Sequence, residues 1–344
     1  MALRIAIAQM APRLGELEAN LVRHLELLGE ARAAGAGLVV FPELGLTGYQ
    51  LQDLAGEVAM RIDDPRLARL GAATRDLSAV ISFVEESEDH RLFIAAALLE
   101  DGEIRHVHRK LFLPTYGLFD ERRFFAPGDA LRATPSRLGV GVGLAICEDF
   151  WHLGVPELLA LDGAQLLVNP SSSPGRDLAA TNEVGLGTAT SWRILMRTYA
   201  QLTTSFVVFC NRVGVDESVT FWGGSEVIGP SGEPVFSAPL FDEGLYLVDI
   251  DLADLRRERI ALPLLRDERL ELQARELARI VAARAGLAID ESEAEGAERD
   301  RHAGEAAHAD AAADADDAPD AGEAAGPGPR EPQTSRVRVV GGRS

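Results

Sequence analysis

The stretch GVGLAICEDFW, residues 141–151, decides how this chain is read. Its first six residues are small or apolar with no polar alternation, the pattern of a strand covered on both faces. The run stops at Cys147, and two acids, Glu148 and Asp149, follow at once. In α/β proteins, ligands and chemistry gather beyond the carboxyl ends of such strands. Taken alone, a strand-end cysteine is more often a small buried hydrophobe than a nucleophile.

Outward from this stretch the same grammar repeats. RIAIAQM, GLVVFPE, AVISFVEE, RLFIAAALLE, AQLLVNP and SFVVFCNRVG read as further, mostly buried strands. LEANLVRHLELLGEARAAG and TATSWRILMRTYAQLTT read as amphipathic helices, with Gly35 stopping the first. SEVIGPSGEPVFSAP reads as a hairpin turning at PSGEP, and GLYLVDIDL as a closing strand. A last helix, DERLELQARELARIVAARAG, ends an α/β domain expected over residues 1–285. From 290 to 344 the composition collapses to Ala, Asp, Glu and Gly, with 14 acidic and 6 basic residues. Such a stretch has too little apolar surface to offset its ordering entropy, so an acidic, low-complexity, disordered tail is expected there.

The totals exclude whole classes of function. A formal net charge of −20 over 344 residues repels phosphate backbones and anionic membranes, so no nucleic-acid or membrane partner is expected. No apolar run approaches the roughly 18 to 20 residues of a membrane helix, and the amino terminus does not read as a signal peptide. Cys147 and Cys210 make no disulfide framework, which points to a reducing cytoplasm. Cys210, inside FVVFCNR, reads as core packing.

Two more strand ends carry chemically active groups. GLVVF runs into Pro42 and Glu43, and EIRHVHR leads to Lys110. Lys110 is the single lysine among 34 basic residues. An arginine-rich composition explains the bias but not the exception, which reads either as chance or as a site where a compact ammonium fits and a planar guanidinium does not. Thiol attack on an amide requires a nucleophile, a base that takes its proton, and a positive donor for the developing oxyanion. Cys147, Glu43 and Lys110 supply one each. Rival constellations are poorer. His152 lies five residues from Cys147 across a turn, His106 and His108 alternate along a strand without a ligand set, and no Gly-rich phosphate loop is present. Asp149 reads as a backbone-binding cap, ranked below Glu148 for substrate contact.

These residues resemble the nitrilase, or carbon-nitrogen hydrolase, superfamily. FPELGLTGY resembles its general-base segment, RKLFLPTYGLFDERRFF its lysine segment and ICEDFWH its nucleophile segment, in the family's order. The resemblance covers residues 1 to about 280 and implies a four-layer α-β-β-α sandwich, a homodimer or higher homo-oligomer, and neither metal nor organic cofactor. It assigns Glu43 as base, Lys110 as oxyanion partner, Cys147 as nucleophile and Glu121 as the supporting acid. LPTYGLFDERRFF and CEDFW are most similar to the glutaminase domain of glutamine-dependent NAD synthetases. That branch implies substrate contacts from Glu148, Tyr116 and Phe119, with Ser173 and Arg176 in an altered serine loop. The synthetase Ser-Gly-Gly-x-Asp-Ser loop does not occur, so a stand-alone relative is expected. The implied activity is hydrolysis of a small amide through a cysteine thioester, releasing ammonia. Alternatives are a glutaminase subunit feeding a separate synthetase, and an idle binding protein on the same scaffold.

Overall fold

Alternation of small and branched side chains shapes the first sheet. In β1 (Ala2–Gln9), Leu3, Ile5 and Ile7 enter one buried cluster while Ala6 and Ala8 enter another. A strand presents alternate residues to opposite faces, so this sheet is covered on both. The computed structural model describes residues 2–175 and 187–286, and the backbone of 338–340. β1 pairs in parallel with β2 (Leu38–Val40), and β2 with β3 (Ser78–Glu86). β4 (Leu92–Glu100) and β5 (Glu103–Arg109) follow as antiparallel neighbours, so β5 runs in the direction of β3.

The second sheet is built the same way. β6 (Ala133–Pro135) pairs antiparallel with β7 (Gly141–Leu144), and β7 is parallel to β8 (Ala164–Ser171) and β8 to β9 (Phe206–Asn211). A two-stranded ribbon, β10 (Val213–Asp216) with β11 (Val219–Trp222), leaves β9. The expected hairpin is β12 (Glu226–Ile228) and β13 (Pro234–Ser237), with β12 on β9. β14 (Gly244–Asp251) returns to pair antiparallel with β1 in the first sheet. β15 (Arg338–Val340) pairs antiparallel with β14 and lies inside the stretch whose composition suggests a tail. The rest of that expected tail lies outside the described residues.

Helices complete the outer layers. α1 (Leu17–Ala33) and α2 (Pro65–Ala72) bury Leu21, Leu28, Leu67 and Leu70 against Ala6, Val39, Ile81 and Ala95 of the first sheet. Gly35 stops α1 with φ +76°, a value glycine adopts without a Cβ penalty. After α3 (Glu121–Phe124), α4 (Gly154–Leu161) and α5 (Gly187–Leu202) pack on β8 and β9. Ile5, Val80 and Ile94 share one apolar cluster with Val142, Leu144 and Val168, so the two sheets face each other. The order of layers is therefore α-β-β-α. α6 (Ala253–Ala261) and α7 (Leu264–Asp267) follow β14. A second compact unit, residues 267–333, is described over α8 (Leu270–Arg284), the expected last helix.

This topology orients the chemistry. β2 and β5 deliver the residues beyond their carboxyl ends, Glu43 and Lys110, to one edge of the first sheet. The parallel strands β7 and β8 deliver Cys147 and Ser172 to one edge of the second.

Candidate active site

Three residues past β2, Glu43 is fully buried in a tight turn. Leu44 has φ +49°, and the N–H groups of Thr47 and Gly48 close back on its carbonyl at 3.0 and 2.8 Å. Ser82 Oγ accepts the Leu44 N–H at 2.9 Å. The carboxylate is held from two sides. Its Oε2 accepts the Ser172 N–H at 2.8 Å, and its Oε1 accepts from Lys110 Nζ at 2.7 Å. Ser172 Oγ also donates to the Glu43 carbonyl at 2.8 Å.

Lys110 directly follows β5. Its N–H reaches the Ile94 carbonyl at 2.8 Å, and its own carbonyl accepts the Gly128 N–H at 2.8 Å. A Cβ at position 128 would collide with the Arg109 carbonyl oxygen, so glycine is what lets this loop close on the lysine strand. The Lys110 side chain is completely buried, and Nζ donates at 2.8 Å to Glu121 Oε1 as well as to Glu43. Burial works against its charge, but Glu121 and Glu43 outweigh burial and hold the ammonium protonated well above its usual range.

Glu121 opens α3, and its N–H reaches the Pro114 carbonyl at 3.2 Å. Tyr49 Oη donates to Glu121 Oε1 at 2.5 Å. Burial, with a further push from the Glu43 charge, raises Glu121 to about 7 despite the Lys110 ammonium. Its second oxygen, Oε2, is buried without a hydrogen-bond partner among the described residues. A cavity of about 240 Å³ is lined by Tyr49, Gln50, Leu118, Asp120, Glu121 and Phe125.

Cys147 begins a tight turn, Cys147–Trp151, with φ +44°. A non-glycine residue in this region is strained and persists only where its surroundings impose it. Burial pushes its thiol well above the usual range; Glu43 pushes it the same way, and Lys110 pulls it down. The resting group is therefore a thiol, and attack requires a neighbouring base. Glu43, Lys110, Glu121 and Glu148 are the charges acting most strongly on it, and His152 is not among them. His152 stacks on Phe112 instead.

The other expected residues divide. Glu148 is half-buried and accepts Tyr116 Oη at 2.9 Å on both oxygens, and burial raises its pKa against that bond. Phe119 packs edge-on to Tyr116 at 5.5 Å and to Tyr49 at 6.5 Å. Ser173 is buried, with its N–H on Asn211 Oδ1 at 2.8 Å. Its Oγ accepts from Trp192 Nε1 at 2.9 Å and from Trp222 Nε1 at 3.3 Å. Both lone pairs are thus used, which leaves this hydroxyl a donor. Arg176 lies outside the described residues. No group of three or more His, Cys, Asp or Glu suited to a metal occurs among the described residues.

Sequence reasoning missed Ser172 and Tyr49, whereas Asp149 binds backbone as expected, accepting the N–H groups of Ile146, Leu111 and Phe112. Ser172 neighbours the chosen Ser173, and Tyr49 closes the FPELGLTGY segment, so both sat within the quoted motifs. Cys210 is core packing, with its sulfur facing the Val40 carbonyl at 3.2 Å and its pKa raised by burial. No described helix is long and apolar enough to cross a membrane.

Comparison with known proteins places this geometry among relatives. A family model described as carbon-nitrogen hydrolase matches residues 4–259. The glutamine-dependent NAD(+) synthetase of Thermotoga maritima is 37% identical over 267 residues, covering 76% of this chain and 44% of the relative. The synthetase of Acinetobacter baylyi is 30% identical over 257 residues, covering 75% and 46%. The chain thus spans less than half the length of these curated relatives. Among solved structures, a carbon-nitrogen hydrolase from Helicobacter pylori superposes with TM-score 0.68 at 26% identity, covering 78% of this chain and 96% of its own. The NitN amidase from a Nesterenkonia species gives TM-score 0.66 at 27% identity, covering 79% and 99%. One mutant of that amidase carries the acetamide moiety of fluoroacetamide covalently at its active-site cysteine.

Proposed function

This chain belongs to the carbon-nitrogen hydrolase family, and from that premise we propose that it hydrolyses a small carboxamide through a thioester on Cys147, releasing ammonia. The observation that carries the reading is the buried cluster in which Lys110 Nζ sits between Glu43 Oε1 and Glu121 Oε1, at 2.7 and 2.8 Å, with both glutamates and the lysine acting on the Cys147 thiol. A buried ion triad beside a strained, protonated cysteine has little purpose in a pure core, where apolar replacements are often as stable.

The chemistry follows from the groups. Glu43 takes the thiol proton, and the Cys147 thiolate attacks the amide carbon. The oxyanion forms against Lys110 Nζ and the backbone N–H of Glu148, and a preorganised donor of this kind is worth on the order of 10²–10³ in rate. The tetrahedral adduct collapses, the nitrogen leaves as ammonia with the proton held by Glu43, and a thioester remains. Glu43 then takes a proton from water, whose oxygen attacks the thioester carbon and frees the acid and the thiol. Glu121 holds Lys110 in place. The attachment of the acetamide moiety of fluoroacetamide to the active-site cysteine of a Nesterenkonia amidase variant supports the cysteine of this fold as a nucleophile.

A second reading is favoured by the curated relatives, which are glutamine-dependent. Here the amide is glutamine and the ammonia is passed to a synthetase. Glu148, tied to Tyr116, would face the substrate ammonium, and the Ser173 hydroxyl would donate to a substrate oxygen.

Ammonia release over glutamine, asparagine, ω-amides, N-carbamoyl acids and simple nitriles, with intact-protein mass, tests both readings. One amide yielding ammonia in the wild type and none in Cys147→Ala is the expected result. Glutamine alone would select the second reading. No ammonia and no acyl adduct from any compound would sink the first reading and leave a partner-dependent glutaminase or an idle scaffold.

A further inference from the structure

His108 and Asp149 lie outside the triad and are buried next to it, at 2% and 0% exposure. His108 is two residues before Lys110, and Asp149 two residues after Cys147. His108 Nε2 lies 2.9 Å from Asp149 Oδ2, and a carboxylate partner makes that nitrogen the donor. The same Oδ2 accepts the N–H of Ile146, the residue before Cys147, at 2.8 Å. Oδ1 accepts the N–H groups of Leu111 and Phe112, just after Lys110, at 2.9 and 3.0 Å. One carboxylate therefore receives four hydrogen bonds, three from the Lys110 segment and one from its own turn.

We propose that the His108–Asp149 pair is a positioning device that sets the separation of Lys110 from Cys147, by tying the chain on both sides of the lysine to the turn that carries the cysteine. The two groups come from different sheets, β5 and the turn after β7. Directional hydrogen bonds fix the relative position of two packed layers more narrowly than dispersion contacts, which have no direction. The oxyanion rests between Lys110 Nζ and a backbone N–H of the Cys147 turn, so the device acts on the one distance that must hold in the transition state. Misplacement by about 1 Å costs on the order of 10² in rate. Asp149 gains charge-assisted bonds in place of water, and this fits its complete burial.

The inference rests on Cys147 being the nucleophile, so its test uses a probe independent of turnover. The rate at which iodoacetamide alkylates Cys147 is read by intact mass, with Cys147→Ala as blank, alongside kcat and KM for the amide. His108→Phe keeps a ring and removes the donor, while His108→Gln restores an N–H. His108→Phe is expected to slow alkylation and kcat by about ten- to hundredfold with KM within about threefold, and His108→Gln to recover most of the loss. If His108→Phe does not fold, Asp149→Asn reads the same link, since it keeps the volume and two of the four bonds. A folded His108→Phe or Asp149→Asn that alkylates at the wild-type rate overturns the proposal. So does a loss equal in His108→Phe and His108→Gln, or one that tracks the fraction unfolded. A wild type that alkylates rapidly and hydrolyses no amide overturns only the reaction assigned above, and the alkylation ratios still decide the positioning.

Discussion

Replacing Lys110 with methionine removes the cation and keeps the length of the side chain. Lys110 is fully buried and spends its charge on two carboxylates, at 2.7 and 2.8 Å. Taking one partner from a buried ion cluster costs about 3–5 kcal/mol, because the remaining charges stay desolvated and, here, face each other. The sign with pH follows from Glu121. Its folded pKa of about 7 already lies above the ordinary carboxylate value, mainly through burial. A carboxyl group raised on folding destabilises fully above its folded pKa and not at all below its unfolded one. Without the ammonium the folded value rises further, so the penalty is largest in mild base and shrinks as acid protonates the cluster. Urea unfolding followed by tryptophan fluorescence should show a loss of about 3–5 kcal/mol near pH 8 and roughly half or less near pH 5.5. Amide hydrolysis should fall by on the order of 10²–10³ or more. A stability loss below about 1 kcal/mol, or one identical at both pH values, would refute the argument that Lys110 neutralises a buried pair.

Tyr49→Phe removes the hydroxyl that donates to Glu121 Oε1, a bond that lowers the Glu121 pKa. Glu121 should give the pH profile of kcat/KM an ionisation near 7, and this variant should move it upward; a downward shift would contradict the assigned bond. Arg212 donates to Asp216 at 2.5 and 2.8 Å and lies 4.2 Å over Phe221, with both charged groups buried. Arg212→Ala strands the acid and should cost about 3–5 kcal/mol in urea unfolding, whereas a loss under about 1 kcal/mol would mean that water reaches Asp216. Gly128→Ala forces a methyl group onto the Arg109 carbonyl. It should cost about 1–3 kcal/mol and lower kcat more than it raises KM, since the strain lands beside Lys110; unchanged melting and turnover would show that the loop yields freely.

Two of the three groups of the proposed chemistry were readable because each follows a strand of plainly apolar composition, GLVVF before Glu43 and GVGLAI before Cys147. A buried strand must hand its next residue to the sheet edge, so local pattern was enough to shortlist them. Lys110 follows EIRHVHR, a mostly polar strand, and stood out by its residue type. The lone lysine added a second, compositional signal, and the structure buries it between Glu43 and Glu121. Periodicity did not reveal the layering. Ile5 and Ala6 are both fully buried, and hydrophobicity does not say which of them meets a helix and which meets the other sheet. The serine loop shows the same limit at finer scale. Ser172 and Ser173 are chemically identical neighbours, yet one N–H binds Glu43 and the other binds Asn211.

What the sequence determined by itself was local: where strands begin and end, where α1 stops at Gly35, and which reactive side chains stand at strand ends. These follow from burial patterns within ten residues or so, which the chain carries in its own order. What only the tertiary structure decided is which groups meet. Tyr49 reaches Glu121 across 72 positions, His108 reaches Asp149 across 41, and Ser172 reaches Glu43 across 129. Those meetings depend on how two sheets lie face to face. Dispersion and burial favour that packing without direction, and the buried polar atoms select a single register because each must find a partner there.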